Sequence, residues 1–234
     1  MPKFLVLSCC LLAAAPVSAD FTGKGELGLL FATGNSETET FNTRLELVYE
    51  QERWINEGTL SYVLGRDSGE TNSNRLVATN RTKYSLDPRS YVVGALRYDR
   101  DQFSAFRYQG SVALGYGRHL IDNDQHQLSV EIGPGIRFAE ERATGDTENE
   151  VIARGLADYG WVISESTELS NRLLVESGAD NTFAENTLGL TVAINSRMAL
   201  KAGVSVRHNT DVDPGREKTD TLTTVNLVYN FGKE

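Results

Sequence analysis

Three histidines, His119, His126 and His208, are the side chains of this sequence best suited to proton transfer near neutral pH. A hydrolase would need one of them aligned with a nucleophile. The nearest serines stand at offsets of three, Ser129 from His126 and Ser205 from His208. On a strand, that spacing sends the two side chains to opposite faces. His208, Asp211 and Asp213 come close to the donor set of a membrane aspartyl peptidase, but Asp213-Pro214-Gly215 reads first as a turn. No catalytic constellation results, and the sequence predicts a protein that is not an enzyme.

Metal and cofactor chemistry fares no better. Cys9 and Cys10 both lie in the N-terminal apolar segment, so the rest of the chain has no thiol for a disulfide or a metal. Acidic residues such as Glu37, Glu39, Asp67, Glu70, Glu140, Glu141, Asp146 and Glu148 fall in candidate loops. Calcium needs 6–8 oxygens at short range, and none of these loops has a recognised spacing. No cofactor is therefore expected. A formal charge of −9 with no basic cluster argues against nucleic acid as a partner.

What remains is a series of full charges at strand spacing: Arg44, Glu46, Glu57, Arg81, Arg97, Asp99, Glu131, Arg137, Arg154, Asp158, Arg172, Glu176, Lys201 and Arg207. Each sits on the polar side of an alternating segment. Between two packed sheets, so many ions would each cost several kcal/mol of desolvation unless paired. A closed barrel in lipid disposes of them differently. Apolar faces meet acyl chains, charged faces meet a wet or ion-paired lumen, and closure leaves no strand edge unpaired.

The elements that would position these charges follow from period-two alternation, which recurs from Asp20 onward without any sustained helical spacing. Leu188, Leu190, Val192 and Ile194 alternate with Thr187, Gly189, Thr191 and Ala193; Met198, Leu200, Ala202, Val204 and Val206 alternate with Lys201, Gly203, Ser205 and Arg207. Twelve strands are predicted, at about 22–33, 39–50, 54–66, 75–86, 91–101, 107–119, 126–139, 150–161, 168–177, 183–194, 198–209 and 218–231. Most reach the 9–11 residues that a tilted strand needs to cross a bilayer, whereas soluble strands average nearer 5–6. A soluble periplasmic β-sandwich binding module is the competing arrangement.

Connections after odd-numbered strands read as longer and polar, among them Asp67–Asn74, Glu140–Asn149 and Thr210–Glu217, and those after even-numbered strands as tight. Outer-membrane barrels have short periplasmic turns and longer outer loops, which places both termini in the periplasm. Aromatics near predicted strand ends, including Trp54, Tyr84, Tyr91, Trp161 and Tyr229, suit two interfacial girdles. Pro134, between Gly133 and Gly135, suggests a bulge.

The N-terminus supplies the route to that location. Lys3, the apolar run Phe4–Ala15 and Val17-Ser18-Ala19 make a secretory signal peptide cut after Ala19. Residues 1–19 are then a signal peptide and residues 20–234 one outer-membrane β-barrel domain of an all-β, antiparallel up-and-down type.

The last strand, Thr224-Val225-Asn226-Leu227-Val228-Tyr229-Asn230-Phe231, carries Leu227, Tyr229 and Phe231 on one face. It resembles the C-terminal signal by which the barrel-assembly machinery recognises its clients, with Asn226 where that signal has glycine and three residues beyond the terminal aromatic. More of the chain resembles one family. Thr33-Gly34-Asn35-Ser36, Arg97-Tyr98-Asp99-Arg100-Asp101-Gln102-Phe103, Leu114-Gly115-Tyr116-Gly117, Gly133-Pro134-Gly135 and Val228-Tyr229-Asn230-Phe231 are similar, in order and spacing, to salt-induced outer-membrane proteins, a family of barrels of unknown function. The resemblance covers about residues 22–231 and implies a Gram-negative outer membrane, a barrel, and a link to salt or osmotic stress. It implies outer-membrane lipid, lipopolysaccharide and the assembly machinery as partners, and supplies no ligand and no oligomeric state.

Two functions fit a twelve-stranded barrel with such an inner face: a narrow, charge-lined pore for ions or small solutes, or a structural barrel whose paired charges fill it. Because arginine and lysine outnumber acids among the fourteen residues, a pore would prefer anions weakly.

Overall fold

Alternation of apolar and polar residues gives extended segments that bury one face and leave the other free. In the computed structural model, which describes residues 20–32, 38–104, 106–142, 144–212 and 217–232, these segments are twelve antiparallel strands. They are β1 (Asp20–Ala32), β2 (Thr38–Gln51), β3 (Trp54–Asp67), β4 (Glu70–Ser85), β5 (Ser90–Asp101), β6 (Phe106–Asp122), β7 (His126–Glu141), β8 (Thr147–Ser164), β9 (Thr167–Ser177), β10 (Thr182–Ala193), β11 (Met198–Asn209) and β12 (Thr219–Gly232). Each strand pairs with its sequence neighbours, and β12 returns to β1, so the sheet closes as the sequence predicted. That seam is the shortest ladder among the described residues. It holds six residue pairs, from Thr22↔Gly232 to Leu27↔Leu227.

The barrel is apolar outside and charged inside. Leu114, Ile132 and Val151 on the outer face are 70%, 70% and 75% exposed. Glu26, Asp99, Glu131 and Glu176, which point inward, are buried. This inversion of a soluble protein suits a surround that is itself apolar. Trp54 stacks tilted on Tyr84 with ring centroids 4.8 Å apart, and Trp161 lies 5.7 Å from the ring of His126. Both pairs stand at the rim formed by the turns after even-numbered strands.

Three expectations need correction. The segment 67–74 is not a long loop: β3 and β4 extend into it and meet at Ser68-Gly69. Both residues have positive φ, the geometry of a two-residue hairpin turn, and glycine adopts it at no steric cost. Pro134 marks no bulge. The β6–β7 register is the same on either side of it; that ladder lacks there only the pairs of Gly133 and Pro134, while Pro134 keeps its place opposite Ala153 of β8. Register shifts in β6–β7 fall instead near the strand ends, at Phe106/Tyr108 and His119/Ile121. Tyr91, finally, belongs to no girdle. It shares the inward parity of Val93 and Ala95, is buried, and donates its hydroxyl to Glu131 at 3.0 Å. The signal peptide, the motif Thr33-Gly34-Asn35-Ser36 and Asp213-Pro214-Gly215 lie outside the described residues.

Candidate functional site

Pleating sends every second residue of all twelve strands into one lumen, and strand register decides which of them meet. All fourteen charges singled out in the sequence stand on that inner face, in two bundles and several local contacts. The group nearest the longer-loop rim bridges opposite walls. From β4 and β5 come Arg75, Arg97, Asp99 and Asp101; from β10 and β11 come Glu185 and Arg207. Arg75 reaches Asp99 at 2.6 Å and Glu185 at 3.5 Å, and Arg97 reaches the same two carboxylates at 3.0 and 3.1 Å. Arg207 contacts Asp99 and Asp101, both at 3.4 Å. The guanidinium carbons of Arg97 and Arg207 lie 4.9 and 5.7 Å from the ring centre of Phe183, a cation–π arrangement that closes the bundle from the β10 side.

A second group ties β3 and β4 to β7, β8 and β9. Arg81 contacts Glu57 and Asp158, each at 3.0 Å, and forms a short ion pair with Glu131. Glu131 also takes Arg154 at 3.1 Å, and Asp158 pairs with Arg172. Lys83 binds Glu57 at 2.5 Å. Such mutual neutralisation makes the deep burial of Arg81, Glu131 and Arg154 tolerable, while Arg172 at the edge of the group stays partly exposed. The remaining charges are held locally. Arg137 pairs with Glu150 and donates to the carbonyl of Asn181 at 2.7 Å, and Glu176 accepts from Ser111 at 2.7 Å. Arg44 pairs with Glu46 at 2.5 Å, and Lys201 with Glu26 at 2.6 Å.

Six inner-face charges engaged here escaped the sequence reading: Glu26, Arg75, Lys83, Asp101, Glu150 and Glu185. Parity alone would have found most of them, since Glu26 alternates with Leu27 and Leu29, and Glu185 with Leu188 and Leu190. Adding them to the fourteen makes acids and bases equal among the charges so named, which removes the basis for a weak anion preference.

Beneath the first bundle lies one open chamber of about 1310 Å³. Its wall includes Ser164, Glu165 and Ser166 of the β8–β9 turn, Ser196 and Arg197 of the β10–β11 turn, and Asn230–Gly232 at the end of β12. The chamber therefore opens at the short-turn rim. At its far end it is bounded by Arg75, Arg97 and Glu185, and among the described residues none of the loops beyond them contributes to its wall.

The histidines take no part in the lumen's ion pairs. His126 Nδ1 lies 2.9 Å from the Tyr159 hydroxyl, His208 Nδ1 lies 2.9 Å from Thr219, and the ring of His119 packs 5.3 Å from that of Tyr91. Leu227 and Tyr229 point outward from β12 and are exposed, and Phe231 on the same face packs against Phe21 with centroids 6.4 Å apart.

Among known proteins, the uncharacterized protein YdiY of Escherichia coli (strain K12) is 26% identical over 221 residues, which are 92% of this chain and 86% of that one. An outer membrane channel from Pseudomonas putida F1 shares the fold with a TM-score of 0.54 at 12% identity, over 93% of this chain and 97% of the channel. The NanC porin does so with a TM-score of 0.52 at 11% identity, over 90% and 97%. Residues 25–231, nearly all of the strand-forming chain, match the family model described as "Protein of unknown function, DUF481", and the chain belongs to that family.

Proposed function

We propose that the protein is an outer-membrane barrel whose lumen is a narrow solute passage, open to the periplasm and shut at its outer end by the Arg75–Arg97–Arg207 bundle. One observation carries this reading: a chamber of about 1310 Å³ runs from the short-turn rim and ends directly under ion pairs contributed by facing walls. A barrel built only for structure could fill its lumen with side chains throughout, as smaller barrels do. The apolar outer belt and the aromatic rim support the location in the outer membrane, with delivery by a signal peptide cut after Ala19. The outward face of Leu227, Tyr229 and Phe231 suits recognition by the assembly machinery, and outer-membrane lipid and lipopolysaccharide would cover the belt. The tie to salt stress comes from the resemblance of the sequence motifs. A gate made of ion pairs is a device through which ionic conditions could act, although its burial makes it less sensitive to screening than surface pairs.

The test is conductance across a planar bilayer. The wild-type protein should be silent or open rarely, and Asp99→Asn with Glu185→Gln should open it. If neither protein shows unitary events at any voltage, the lumen is closed for good and the non-conducting, structural barrel is the correct description.

A further inference from the structure

We infer that the chamber is a binding site for small zwitterionic solutes, those carrying both a carboxylate and an ammonium group. The inference deepens the function proposed above and rests on its periplasmic mouth, though not on the outer end ever opening.

Three ion pairs face the chamber from three walls. Arg44 and Glu46 stand on β2, Arg172 and Asp158 on β9 and β8, and Lys201 and Glu26 on β11 and β1. Unlike the sealed bundle above them, these pairs are wet on the cationic side: Arg44, Arg172 and Lys201 side chains are 30%, 44% and 21% exposed. Arg44 engages Glu46 through Nε, and Arg172 engages Asp158 through Nε and one Nη. Guanidinium N–H groups of both therefore remain free to donate into the chamber, and a carboxylate is their best acceptor.

A simple anion is nevertheless poorly served. Each exposed cation has its own acid beside it, so an arriving anion meets a like charge within the same pair. A simple cation meets the converse. A solute with both charges can set its carboxylate on the guanidinium edge and its ammonium toward the neighbouring acid, adding no net charge to a space of reduced dielectric. The rim repeats the balance, with Lys24 and Arg197 against Glu165 and Glu168. Between the pairs, the wall is neutral and hydrogen-bonding: Ser170, Thr187, Ser205 and Thr224. Gly189 and Gly203 lie opposite one another in the same row, which keeps that wall shallow.

The experiment compares three probes of one carbon skeleton, β-alanine, propionate and n-propylammonium, by saturation-transfer NMR on the whole folded protein in detergent. β-Alanine should bind best of the three. Arg44→Gln and Arg172→Gln should each weaken it about tenfold, the loss expected for one hydrogen bond to a charged group. Arg44→Lys, which keeps the charge but lacks the fork, should weaken it as well, with heat-modifiable gel mobility confirming that each variant remains a barrel. Propionate or propylammonium binding as well as β-alanine would overturn the inference, as would binding by none of the three. Because binding needs only the periplasmic mouth, a silent bilayer record would sink the passage and leave this site standing.

Discussion

Asp99 on β5 and Arg207 on β11 lie 3.4 Å apart across the lumen, although 108 residues separate them in the chain. Their contact joins facing walls at the outer end of the barrel, inside a network in which each has further partners, Arg207 reaching Asp101 and Glu185 as well. Asp99 is the hub of the bundle, touching Arg75, Arg97 and Arg207 together. Asp99→Asn leaves those three cations with too few acids, and breaking such a buried network costs about 3–5 kcal/mol. Urea unfolding of the detergent-solubilised variant should show that loss, alongside the conductance described above. A variant as stable as wild type would mean that the bundle is wetter than its geometry indicates.

Burial, and not the mere presence of an ion pair, should govern the cost of removing a charge. Glu131, whose side chain is 1% exposed, holds Arg81, Arg154 and the Tyr91 hydroxyl. Glu131→Gln is expected to destabilise by about 3–5 kcal/mol. Arg107, 58% exposed at the rim where it pairs with Glu140 at 2.6 Å, should cost less than about 1 kcal/mol when replaced by alanine. Equal losses for the two would contradict the assignment of Glu131 to a dry interior.

The two faces of one strand should answer differently to the same substitution. Leu190→Arg and Val204→Arg place a cation on the outer belt and should cost about 2–4 kcal/mol near the bilayer midplane. Thr191→Arg and Ser205→Arg point into the chamber, where there is space and water, and should be much milder. Folding titrations in lipid vesicles compare the four directly. A reversed order would show that the sheet is inside out relative to this description.

Acid should loosen the β4–β5 turn through Asp87. Its carboxylate accepts the backbone N–H groups of Arg89 at 2.8 Å and Ser90 at 2.9 Å, and those bonds, the one from Arg89 foremost, hold its pKa below the ordinary aspartate value. A depressed folded-state pKa means that the contribution is fully present above the unfolded-state value and disappears as pH falls through the folded one. Asp87→Asn keeps an acceptor for the turn but cannot titrate. The variant should therefore lose less stability than wild type as pH is lowered through and below the usual aspartate range, measured as the shift of the urea midpoint. Parallel acid limbs would show that the turn contributes nothing to the pH dependence.

The strands were legible because alternation is a local property. Phe41, Thr43, Leu45, Leu47 and Tyr49 declare one face of β2 without reference to any other strand. The lumen's chemistry was only half legible. That Arg97 and Arg207 point inward follows from parity, but that both reach Glu185 depends on barrel curvature and on the stagger of ladders many residues apart. Tyr91 was misplaced for a related reason. Position near a strand end suggests a girdle, yet its parity with Val93 and Ala95 turns it inward, and parity prevails because the pleat admits no exception within a continuous strand. The tight Ser68-Gly69 turn was hidden by the polar residues on either side of it, which read as loop and are in fact the ends of two strands.

The six-pair seam between β1 and β12 also sets the order of events when the protein is made. Every other ladder joins neighbours in sequence and can zip as soon as its second strand exists, whereas the seam must wait for the final residues and bear the loop-closure entropy of the whole chain. Until then, β1 offers a bare row of N–H and C=O groups to any extended polypeptide nearby. Chains cut short before β12 can fold most of their hairpins and still never lose that hazard, so truncation should yield aggregates in place of smaller barrels.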